Sequence, residues 1–190
     1  MSSLALRVVN TSTGVVSIRY LSDLMLRHFL SSGGNMTDKS VLSEYAEYSE
    51  VFKRVGREYP DVRVGLDHET GLYHYAYAYP VERRLYLIPS DLQHIIRTEE
   101  DLLFVLLHEI GHCENLDMAL WFAGDRLTPE FIADSWACQH GSSVETAVGI
   151  LRRIEARSEN KWALRARIEH LERKNGTEDN VPDIPEFKVG

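Results

Sequence analysis

The stretch "FVLLHEIGHCEN", residues 104–115, decides how the rest of the chain is read. Phe104, Val105, Leu106, Leu107 and Ile110 flank two histidines and a glutamate in an HExxH spacing. Residues i and i+4 of a helix share one face, with about 6 Å between their β-carbons. His108 and His112 therefore aim their rings the same way. Zinc takes imidazole nitrogens at about 2.0–2.1 Å in a tetrahedral array, and this spacing supplies two corners without strain. Glu109 falls beside such a metal rather than on it, where it can take a proton from a water that the metal has made acidic. The plain alternative is a partly buried helix whose histidines bond to carbonyls. The apolar run from Leu102 to Leu107 weighs against it. That run predicts a buried helix, and three buried polar groups need partners. Gly111 weakens the helix but lets another segment approach closely.

A catalytic site needs a third protein ligand and an open fourth position. A metzincin continues after its second histidine as xxGxxH. Here those positions hold Asn115 and Met118, which excludes that class. The other common solution is a carboxylate on a later helix. "PEFIADSWA" offers Glu130, with Asp134 four residues on and on the same helical face. Glu130 is then the metal ligand, and Asp134 accepts a hydrogen bond from the far nitrogen of a ligand histidine. Such a carboxylate fixes the tautomer and raises ligand basicity. Asp134 in place of Glu130 is the main rival, and His140, Asp125 and Glu114 are weaker ones. Both carboxylates also have a plain reading as solvated charges.

The remaining chain fits one soluble domain. Its 190 residues suffice for one core, and 44% hydrophobic with 26% charged residues is a globular composition. The net charge of −8 argues against nucleic acid as a partner. No run of about 18 apolar residues predicts a membrane span, and no signal peptide is evident at the N-terminus. Cys113 and Cys138 are too few for a disulfide framework and suit a reducing, cytoplasmic compartment. Both are expected to be buried structural thiols. Helical spacing predicts helices over 20–30, 41–59, 99–115 with Thr98 as N-cap, 143–159 and 161–174, with a loop at 31–40. Another, over 128–141, has Thr128 as N-cap, Pro129 at the first helical position and a stop at Gly141. Strands are expected at 61–67, 71–79 and 83–89. One domain over 1–174 comprises an N-terminal helical part, 1–60, and a core, 61–174; the acidic tail 175–190 is expected to be loose.

Residues 72–171 resemble the catalytic core of the HtpX-like gluzincins, a family that includes the zinc-type CAAX prenyl proteases and the small soluble minigluzincins. "RLYLIPSDLQHIIRTEEDLLFVLLHEIGH" matches that family's strand, small-residue turn, short helix and HExxH helix in order and spacing. "ExxAD" is present as Glu130 to Asp134, and "RIEHL" at 167–171 resembles the family's terminal arginine–isoleucine helix. The resemblance implies an α+β fold, mainly helical, with a small mixed or antiparallel sheet. It implies one Zn2+ per chain held by His108, His112 and Glu130, with Glu109 as base, in a zinc-dependent endopeptidase. Two departures stand out. Tyr75 replaces the family's usual asparagine, and Lys161-Trp162 replaces its His-Pro.

"GLYHYAYAYP" alternates tyrosines with small residues. The alanines suit packing against the motif helix, and the strand can form an edge to which an extended peptide adds. Tyr75, Ala76, Tyr77 and Ala78 are thus the candidate contacts for a peptide or protein substrate. Arg165, Arg167, His140 and Tyr77 are candidate oxyanion donors, though the two arginines read better as helix-surface or helix-docking charges. Two further functions stay open. One is a regulatory protease that cuts a repressor. The other is a latent or non-catalytic zinc-binding protein whose fourth metal position is plugged.

Overall fold

Every residue from Asp101 to Cys113 is buried, which makes the motif helix the centre of the fold. A helix apolar on all sides can only sit between other elements. The computed structural model describes residues 41, 44–68, 75–115, 124–159 and 161–176, all within the unit Asn35–Gly190. The expected helix at 20–30, the loop at 31–40, the start of the aromatic strand and the tail beyond residue 176 lie outside the described residues.

In chain order the elements are α1 (Ser49–Glu58), β1 (Arg63–Leu66), β2 (Ala76–Tyr79), β3 (Arg84–Leu87), the short α2 (Pro89–Leu92), α3 (Glu99–Asn115), α4 (Thr128–Gln139), α5 (Val144–Glu155) and α6 (Lys161–Gly176). The fold is α+β and mainly helical, with a three-stranded mixed sheet. Central β3 pairs in parallel with β1 and antiparallel with β2, so β2 is an edge among the described strands. Leu85 and Leu87 of β3, Val64 of β1 and Ala76 of β2 point inward to the core. β2 and β3 pack on one side of α3, with α4 and α5 also against it and α6 laid over α4 and α5. No helix among the described residues is long and apolar enough to cross a membrane.

Several boundaries are tighter than the hydropathy pattern suggests. The expected helix at 41–59 is interrupted at Tyr45, which leaves helical geometry, and a 3-10 turn (Ala46–Tyr48) leads into α1. The third strand starts after Arg83, whose φ of 51° closes the turn from β2, and ends before Pro89, which opens α2. Thr98 caps α3 as expected. Its Oγ1 accepts the Asp101 N–H at 3.2 Å, while the Asp101 carboxylate accepts the Thr98 N–H at 3.1 Å. At α4 the cap differs. Thr128 lies inside the helix, and Asp125 Oδ1 accepts from the Leu127 and Thr128 amides at 3.1 and 3.0 Å. A carboxylate three residues upstream thus does the work assigned to the threonine hydroxyl. Gly141 ends that stretch at φ 123°, with the Arg54 guanidinium against it. Of the cysteines, Cys113 is fully buried but Cys138 only half-buried, because it faces the margin between α4 and α6. Burial pushes the Cys138 thiol up to about 11.

Candidate metal centre

At Gly111 the backbone of α4 lies directly against α3. A β-carbon there would lie 3.1 Å from the Ala133 Cα and 3.3 Å from its carbonyl oxygen. Without a side chain at that position, α4 sits against α3 on the face that carries His108 and His112. From Glu130, about one turn before Ala133, and Asp134, next to it, α4 therefore presents two carboxylates to the imidazoles.

His108 Nε2 and His112 Nε2 are 3.2 Å apart. Glu130 Oε2 is 3.4 Å from the first, and Oε1 is 3.7 Å from the second. A tetrahedron whose corners lie about 2.0–2.1 Å from its centre has edges of about 3.3–3.4 Å. Each pair of groups thus approaches at close to the edge length of a zinc-sized tetrahedron, Glu130 meeting the two imidazoles through different oxygens. Taking one ligand atom from each residue, the three lie within 4.8 Å of one another, and no other such group exists among the described residues.

Asp134, fully buried, stands on the opposite side of the His108 ring from Glu130. Its Oδ1 is 2.9 Å from His108 Nδ1. The carboxylate accepts the Nδ1 proton, which turns Nε2 toward the donor triangle. Arg167 of α6 closes the network. Its Nε and Nη2 donate to the two Asp134 oxygens at 2.7 and 2.6 Å, and Nη1 to Glu130 Oε2 at 2.7 Å. Burial would raise the pKa values of Glu130 and Asp134, but the Arg167 charge beside them outweighs it and holds both well below the usual carboxylate range. Burial would likewise push His108 down. Its hydrogen bonds with Asp134 and Glu130 win, and in the metal-free chain they raise it to about 10. A metal at Nε2 displaces that proton. Burial pushes Glu109 upward, against the charges of His108 and His112. A raised carboxylate is a better proton acceptor near neutral pH.

The other candidates fall elsewhere. Glu114 is tied to Arg83 at 2.6 Å, Asp125 caps α4, and the His140 ring stacks on Trp136 at 3.8 Å. Arg165 is a surface cation on Glu155. Ala76 and Ala78 of β2 face the core beside α3, with Tyr75 packed against its margin. Tyr77, Tyr79 and Tyr86 form a mutual cluster on the outer sheet face, and the Tyr77 hydroxyl donates to Asp67 at 2.5 Å. The tyrosines are therefore half-buried against one another rather than laid open.

Arg167, a candidate oxyanion donor by sequence, has partners in the site that spacing did not give. Read as a helix-docking charge, it docks α6 on α4 as the cation shared by Glu130 and Asp134. Its signal was the helical period. Leu164, Ile168 and Leu171 are the buried face of α6, and position 167 lies on that face while 165 does not.

The chain matches no protein-family model, no curated protein and no solved structure.

Proposed function

We propose that the chain is a zinc-dependent endopeptidase. The observation that carries this reading is the donor group of His108, His112 and Glu130, whose closest approaches of 3.2, 3.4 and 3.7 Å are near the edge of a zinc tetrahedron, with Glu109 beside it on the same helix. Zinc held there would supply Lewis acidity to a water and to a substrate carbonyl. Glu109 takes the proton of the attacking water and returns it to the leaving amine. Asp134 keeps His108 in the tautomer that offers Nε2. Ala76 and Ala78 place the β2 backbone beside α3, where an extended peptide can pair with the edge.

The test is Glu109→Gln. The variant is expected to keep one zinc per chain while hydrolysis of an unstructured protein substrate drops by about 10²–10⁴-fold. A wild-type chain that takes up no zinc at metal excess would end the proposal. A fully active Glu109→Gln variant would remove Glu109 from its role.

One observation favours a second reading, a latent or plugged zinc site. His108, Glu109 and His112 expose only 7, 7 and 9% of their surface. On that reading the intact chain binds zinc without hydrolysing peptides, and limited proteolysis releases activity.

A further inference from the structure

Arg167 contributes three N–H groups to two carboxylates on another helix, and its side chain is only 13% exposed. The Nε and Nη2 donors form a fork on Asp134, and Nη1 reaches over to Glu130. A planar guanidinium fixes the angle between the partners it holds, which a lysine ammonium does not. The consequence for the donor triangle is specific. Asp134 orients His108 through Nδ1, and Glu130 is itself a corner. One cation therefore acts on two of the three corners.

Resting on the zinc reading above, we propose that Arg167 is the positioning residue of the metal centre. It holds the Glu130 carboxylate at ligating distance before any metal arrives and, through Asp134, aims His108 at the same point. The donors are then prearranged in the metal-free fold, and zinc binding needs no rearrangement of α4 against α3. Arg167 is not an oxyanion donor. Its fork and its third donor are spent on the Asp134 and Glu130 carboxylates.

The experiment measures zinc affinity by competition with a chromophoric chelator, alongside melting of the metal-free protein. Arg167→Lys keeps the charge and loses the fork. Its metal-free melting temperature is expected to stay within a few degrees of wild type while zinc binds about 10–100-fold more weakly, the usual cost of losing a partner behind a ligand. A helix-docking role alone predicts the reverse, a lowered melting temperature with unchanged zinc affinity in the folded protein, and that result overturns the proposal. Should Arg167→Lys fail to fold, Arg167→Met combined with Asp134→Asn removes the buried pair together and leaves no orphan charge on Asp134. Compared with Asp134→Asn alone, the double variant is expected to bind zinc at least about 10-fold more weakly, because Glu130 has also lost its anchor. Equal affinities for these two variants overturn the proposal while leaving the zinc reading intact. A wild-type chain that binds no zinc overturns both.

Discussion

Two buried aspartates anchor two very different regions of this molecule. Asp134, 0% exposed, sits between the Arg167 guanidinium and the His108 ring. Asp67, 7% exposed, follows β1 and takes the Tyr77 hydroxyl at the edge of an aromatic cluster. The first has a full cationic partner in a dry interior. The second has a neutral donor among half-buried rings that also stabilise one another by stacking, with Tyr77 and Tyr86 centroids 5.3 Å apart. Burying a charge is costly unless it is paired, and the cost returns when one partner is removed. The metal-centre side is therefore brittle, because each polar group depends on one or two others. The sheet side is forgiving, because its apolar contacts survive the loss of any one hydrogen bond.

The sharpest way to break this contrast is Asp134→Ala. It strands Arg167 and unties His108, and is expected to cost about 3–5 kcal/mol in chemical denaturation of the metal-free chain. A loss below about 1 kcal/mol would show that the network is not the brittle element claimed. Next comes Tyr77→Phe, which keeps the ring and removes the donor to Asp67. A hydrogen bond to a charged group contributes about 1.5–3 kcal/mol, and partial exposure of Tyr77 places the loss at the low end. This variant also tests a pH dependence. Burial and the bond to Asp67 raise the Tyr77 pKa above its unfolded value. The stability so gained is fully present below about pH 10 and is lost as pH rises through the folded value. Tyr77→Phe should flatten that alkaline decline, as read from melting temperature against pH.

The smallest effect on stability is expected at Gly111→Ala. Overpacking against Ala133 costs about 1–3 kcal/mol, and better helix propensity returns about 1. The substitution should nevertheless weaken zinc binding, because α4 can relieve the contact only by moving Glu130 away from the imidazoles. An unchanged zinc affinity would show that the α3–α4 distance does not govern the donor triangle.

What could be read in the chain depends on how far apart the cooperating residues lie. His108, Glu109 and His112 are fixed relative to each other by one turn of helix, so their spacing alone predicts their common face. Glu130 and Asp134 were legible as a pair for the same reason. That they meet the histidines, and through which atoms, depends on Gly111 admitting α4, which a sequence hints at but does not specify. Arg167 was the hardest. Its neighbours Arg165, Arg173 and Lys174 give the helix a solvated look, and only the period shared with Leu164, Ile168 and Leu171 separates it from them. In the sheet, alternation gave the inward alanines of β2. The parallel partnership of β1 with β3 across β2 is a tertiary outcome with no local signature.

The placement of Arg167 has a consequence for how the chain is made. Synthesis delivers α3 first, then α4, and α6 last among the described elements. A nascent chain therefore holds both histidines and both carboxylates before the cation that neutralises them has left the ribosome. During that interval Glu130 and Asp134 repel each other on one helical face and resist being packed against α3. The centre cannot be completed cotranslationally by its own residues until α6 emerges, so protection of α3 and α4 in stalled nascent chains should appear abruptly once α6 has cleared the ribosome rather than growing helix by helix.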